Sequence, residues 1–243
     1  MESNTIKTSP QVYARIGGLL YLLIIIVGFF SVIFVRGKII VPGNAAATSI
    51  NIMSSPHLWR AGITADLIEH VLDVPLILIL YILLKPVNKN IALLAMLFTL
   101  VQSAVLVANK MNLFAALFPL GNADYLKAIN PQQLYAQAYL SLKLHDYGFG
   151  AGLLFFGFAC IFLGYLIFKS GYLPKILGII MQIAGLCYIA NSVSLFLVPA
   201  FQSEIFPFIL FPCFIAELSL CLWLLIKGVN VARWKERAGT LQT

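Results

Sequence analysis

Asp66, Glu69, His70 and Asp73 recur at i, i+3, i+4 and i+7 inside an otherwise apolar run at residues 59–84. A helix turns once per ~3.6 residues, so all four side chains share one face. Carboxylates beside an imidazole can hold a cation, pass a proton or grip a polar head group. At bilayer depth each such charge costs at least ~2.5 kcal/mol on insertion scales unless something compensates it. The stripe therefore has to face protein, water or a ligand, because lipid would not tolerate it.

The composition puts these residues in a membrane. The chain is 61% hydrophobic and 10% charged, with mean hydropathy +0.94, whereas a soluble domain is about 45–50% apolar and about 25% charged. The net charge of +7 is read as membrane orientation and contact with anionic lipid, and nucleic acid is not expected as a partner. Cys160, Cys187, Cys213 and Cys221 all fall in apolar runs without CxxC or metal-type spacing. They read as buried small hydrophobes, with no disulfide framework. Lys7 and Arg15 precede an apolar run at 16–35, as in a secretion signal. That run is long, lacks a small-residue cleavage site and closes on Arg36 and Lys38, so a retained membrane helix is expected.

The hydropathy pattern predicts an all-α membrane protein, a six-transmembrane-helix bundle forming one polytopic domain over residues 1–243. The spans are expected at about 16–35, 59–84, 91–109, 146–168, 173–197 and 206–226. Ser55 and Pro56 suit the start of the second span. The two long loops, 36–58 and 119–144, are predicted to carry short surface helices, one capped by Asn44 and one opening at Asn130-Pro131 and running toward the fourth span. With the N-terminus inside, Lys and Arg split ten to six in favour of the cytoplasm; both termini are therefore expected to be cytoplasmic. The pairs Tyr81/Lys85, Tyr165/Lys169 and Trp223/Lys227 fit interfacial anchors on that side. Residues 80–85 and 164–169 hint at a repeated hairpin, although shared anchoring explains the match equally well.

Counting from the anchoring lysines gives each polar residue a depth. Asp73, His70 and Asp66 stand ~18, ~22 and ~28 Å above Lys85. Gln102 and Lys110 stand ~20 and ~31 Å above Lys89, and His145 and Asp146 ~34–36 Å above Lys169. Asn191 is ~24 Å from Lys175, and Glu217 ~15 Å from Lys227. In a hydrocarbon core ~30 Å thick, the polar groups gather from the midplane to the outer surface. A polar pocket facing outward is the expectation.

Several segments resemble a bacterial family of integral membrane proteins catalogued as domain of unknown function 4386. They are residues 14–21 (ARIGGLLY), 41–48 (VPGNAAAT), 72–74 (LDV) and 84–88 (LKPVN), then 145–149 (HDYGF), 155–157 (FFG), 164–165 and 170–178 (SGYLPKILG), 217–220 (ELSL) and 223–228 (WLLIKG). The resemblance implies six spans and a multi-pass protein of a bacterial inner membrane, and it supplies no activity or cofactor. Asp73, His145 and Glu217 lie in the resembling stretches.

Three functions remain open at this point. The first is a pocket that binds or transports a small cation, a proton or an amphipathic ligand, lined by Asp66, Glu69, His70, Asp73, Gln102, Lys110, His145, Asp146, Asn191 and Glu217. The second is a membrane-embedded hydrolase acting on lipid, with a divalent metal held by His70, His145 and Asp73 and a water position left open. The third is an accessory subunit docking on a membrane partner or on its own copy. A structural alternative stands beside all three, in which Asp66 or Glu69 pairs with Lys110 or Arg60 and Asp73 bonds to Gln102 or Asn191. The absence of an enzymatic motif favours the pocket.

Overall fold

End chemistry sets the boundaries of each helix. The computed structural model describes residues 9–201, 206 and 208–239; Lys7 and part of the expected start of the sixth span lie outside the described residues. Helix α1 (Pro10–Ile39) opens on Ser9, whose hydroxyl accepts the Gln11 N–H at 3.3 Å. Helix α2 (Ala45–Ser54) is capped by Asn44, which accepts the Ala47 N–H at 2.9 Å. Helix α3 (Pro56–Leu84) starts on Pro56, but the Ser55 side chain makes no capping bond; its backbone and the proline suffice. Helix α4 (Lys89–Ala115) is capped by Asn88, and α5 (Pro131–Ser170) by Asn130. Helix α6 (Lys175–Leu197), α7 (Phe211–Ile226) and the short α8 (Val231–Gly239) complete the chain.

Six segments among the described residues, the last running from Phe208 through α7 to Ile226, are long and apolar enough to cross a membrane, so the protein is an all-α, multi-pass membrane protein, as the hydropathy pattern predicts. The second long loop differs in one respect. Its expected surface helix is continuous with the fourth span, giving a single 40-residue helix ~60 Å long, about twice the hydrocarbon thickness. Only a 3-10 turn at Asp124–Ala128 stands apart. The reason is local: after Pro131 the sequence holds no glycine or proline until Gly148, so nothing interrupts helix propagation.

Each spanning helix packs on its neighbour in sequence, and α7 packs back on α1. The result is a closed ring of six antiparallel helices. The start of α1 and the end of α7 meet at one end of it, where Gln11 bonds to Lys227 C=O and to the Val229 N–H. At that end Leu83 C=O accepts the Tyr172 hydroxyl at 2.7 Å and the Trp234 indole N–H at 2.9 Å, which ties α8 and the 171–174 turn under the bundle. Burial pushes the ionisation of Tyr172 well above the ordinary phenol range, so the donor persists.

The tightest seam is α5 on α6. A Cβ placed on Gly164 would stand 2.6 Å from Gly178 C=O, and one on Gly157 would stand 2.7 Å from Gly185 C=O. Glycines at matching seven-residue steps on both helices thus let two backbones touch, the usual device for close approach in lipid. Along the bundle axis two apolar clusters are separated by a polar layer. On α3, Trp59 and Ile63 belong to one cluster and Leu76 to Leu84 to the other; Asp66, His70 and Asp73 lie between them. Lys110, Asn109, Ser103 and His145 fill the same level from α4 and α5. Replacing Gly164 with Val should separate the α5–α6 seam and lower stability by about 1–3 kcal/mol, seen as a lower thermal midpoint in detergent. Gly121→Ala, where the nearest outside atom is 3.4 Å away, should change the midpoint little.

Candidate functional site

The ring does not fill its own centre. A cavity of about 190 Å³ runs along α3 from Glu69 to Leu84, ~22 Å of helix axis at 1.5 Å per residue. Most of its wall is aliphatic or aromatic, from Leu84, Ala92 and Leu166 at the termini end to Leu106 and Phe149. Three carboxylates reach it: Glu69, Asp73 and Glu217, accompanied by Gln102, Thr99, Tyr21 and Tyr188. The empty space therefore extends further toward the termini end than the depth ladder implies. The polar groups crowd its far part and an apolar sleeve occupies the rest.

Each acid is met in its own way. Glu217 accepts the Tyr21 hydroxyl on Oε2 at 3.1 Å and the Tyr188 hydroxyl on Oε1. Asp73 Oδ2 accepts the Ser103 hydroxyl at 2.8 Å and lies 3.0 Å from His70 Nδ1. His70 is buried, and its Nε2 has no partner among the described residues. Glu69 makes no hydrogen bond or ion pair among the described residues. It lies against Gly28, where a Cβ would stand 3.3 Å from Glu69 Oε2; the missing side chain is what gives this carboxylate room.

Asp66 sits outside the cavity, in the polar layer. Its Oδ2 takes both the Arg36 guanidinium and the Lys110 ammonium, the latter at 3.2 Å, and the Asp66 and Lys110 side chains are only 1% and 3% exposed. Arg36 is the last residue of a π-helical stretch, Phe30–Arg36. A π turn closes i→i+5 bonds and re-aims everything after it. The same stretch is pinned to α3 by the Ser31 hydroxyl on Gly62 C=O at 2.7 Å, and Gly62 lets Val35 pack where a Cβ would meet it at 2.7 Å. Arg36 was expected in an outer loop; it is a second deep cation. Arg60, the other expected partner, is exposed.

The remaining expected site residues are dispersed. Asn109 Nδ2 donates to His145 Nδ1 and to His145 C=O, both at 2.9 Å. Asp146 is exposed and lies 3.4 Å from Lys143 Nζ. Asn191 is buried on α6 and is not part of the cavity wall. His70, His145 and Asp73 do not converge: one imidazole serves Asp73 and the other Asn109. Among the described residues no three His, Cys, Asp or Glu side chains are placed to hold a metal ion. The cysteines are free, with Cys160 on the cavity wall.

Tyr21 and Tyr188 are the site residues that sequence reasoning passed over. Their legible signal was position: they stand well inside their spans, whereas anchoring tyrosines such as Tyr81 stand at the ends. The profile of the domain of unknown function DUF4386 matches residues 16–228, and the chain belongs to that family. No match was found among curated proteins or among solved structures.

Removing the anion from the Arg36–Asp66–Lys110 triad should be costly. Asp66→Asn leaves two buried cations side by side and should destabilise by about 3–5 kcal/mol. Lys110→Met leaves the Arg36–Asp66 pair intact and should cost clearly less. Thermal midpoints of the two variants in one detergent check the order; equal losses contradict the triad.

Proposed function

We propose that the protein binds, and moves across or within the bilayer, a small amphipathic ligand seated in the bundle cavity. The carrying observation is the cavity's composition: an apolar sleeve ending on Glu69, Asp73 and Glu217. A bare cation or proton site would need the acids but not the sleeve, and a site for an apolar molecule would need the sleeve but not the acids. Carboxylates at this depth, without a cation paired to Glu69 or Glu217 among the described residues, call for water or a polar head group. Apolar walls with a few convergent polar groups are the usual make-up of a small-molecule site. The basic-residue count supports a cytoplasmic-membrane protein with both termini inside, so that the acids lie nearer the outer face.

The lipid-hydrolase alternative needs an activated nucleophile beside the acids, and the two histidines stand on separate hydrogen-bond networks. No observation favours the accessory-subunit alternative. Purified protein offered single-chain amphiphiles of octyl to dodecyl length should show a saturable rise of several degrees in thermal midpoint, as expected when a ligand binds only the folded state. Ala95→Phe, which places a ring in the cavity, should fold and lose that rise. No saturable rise with any amphiphile contradicts the proposal.

A further inference from the structure

We infer that Glu217, Tyr21, Tyr188 and Phe156 form a subsite for an organic ammonium group, so that the amphipathic ligand of the bundle is a cation carrying alkyl groups on nitrogen. This inference rests on the binding function proposed above and names the chemistry of the ligand's head.

The argument starts from the Glu217 carboxylate. Each of its oxygens is occupied by one tyrosine hydroxyl. These bonds hold the carboxyl in one orientation but supply no formal charge. No described lysine, arginine or histidine pairs with it, and the cations of the polar layer are engaged by Asp66 instead. A second carboxylate, Asp73, faces the same cavity and adds to the negative potential. The space beside Glu217 is thus short of positive charge.

The wall decides which cation suits it. Phe156 and Tyr188 lie with ring centroids 5.2 Å apart and tilted by 56°, and both line the cavity with Tyr21 and Glu217. Two non-parallel aromatic faces beside a carboxylate attract a cation through the ring quadrupole. Such a wall offers too few oxygens to replace the water around a small metal ion, which needs six or more ligands when the ion is hard. An alkylated ammonium is weakly hydrated, loses little on entering an apolar space, and brings its own hydrocarbon into contact with the rings. The sleeve toward Leu84 then takes a chain attached to it.

The test compares octyltrimethylammonium with its neutral isostere, in which carbon replaces the nitrogen, and with octanoate. All three are titrated into the full-length protein in a neutral detergent, with thermal midpoint and calorimetric affinity as readouts. The wild type should bind the ammonium at least about tenfold more tightly than the isostere, about 1.4 kcal/mol, and should reject octanoate. Glu217→Gln should bring ammonium and isostere to near equality. Tyr188→Phe, a smaller change for the fold, should reduce the preference several-fold. Equal binding of ammonium and isostere by the wild type overturns this inference; octanoate bound as tightly as the ammonium in an Ala95→Phe-sensitive way overturns it too and leaves the amphiphile site standing. Failure of all three to bind in an Ala95→Phe-sensitive way overturns both.

Discussion

A carboxylate at bilayer depth must meet a cation, a hydrogen-bond donor or water, and this requirement organises the bundle. Asp66 meets two cations and becomes the buried node of the polar layer. Asp73 meets a histidine and a serine. Glu217 meets two tyrosines. Glu69 meets nothing among the described residues but faces the cavity. The series runs from full neutralisation to none, and its under-compensated members are the ones that open on the interior space. Asp66 is held within the polar layer, whereas Glu69, Asp73 and Glu217 line the cavity.

The helix ring makes that arrangement affordable. Glycine pairs draw α5 and α6 into backbone contact on one side, and the π-helical segment of α1 packs closely on Gly62 from the other. Bulky core residues gather above and below the polar layer, and the void runs from that layer into the cluster nearer the termini, where Leu76, Leu84 and Leu166 line it. Close packing in one sector and space in another are two consequences of the same placement of small residues.

Much of the fold was legible. The six spans, the Asn44 cap and the inward face of Asp66, Glu69, His70 and Asp73 follow from hydropathy, capping chemistry and helical spacing. The partners were not legible, because they come from other helices and depend on register. Arg36 looked like a loop residue because a π turn cannot be read from FSVIFVR; it closes that turn and pairs with Asp66. Spacing along different helices carries no information about convergence, so the Asn109 partner of His145 could not be read. Lys110 was the one expected cross-helix partner of Asp66 found in place, and depth alone suggested it. Tyr21 and Tyr188 were hidden by the habit of assigning tyrosines to the interface.

The central claim is that the bundle holds a chamber in which Asp73 and Glu217 face something other than protein. A high-resolution density map of the protein in a lipid nanodisc tests it most directly. The account predicts non-protein density within hydrogen-bonding distance of these carboxyls, continuing between α3, α4 and α5 toward Leu84. Side chains that close this space, with both carboxyls touching protein alone, would contradict it.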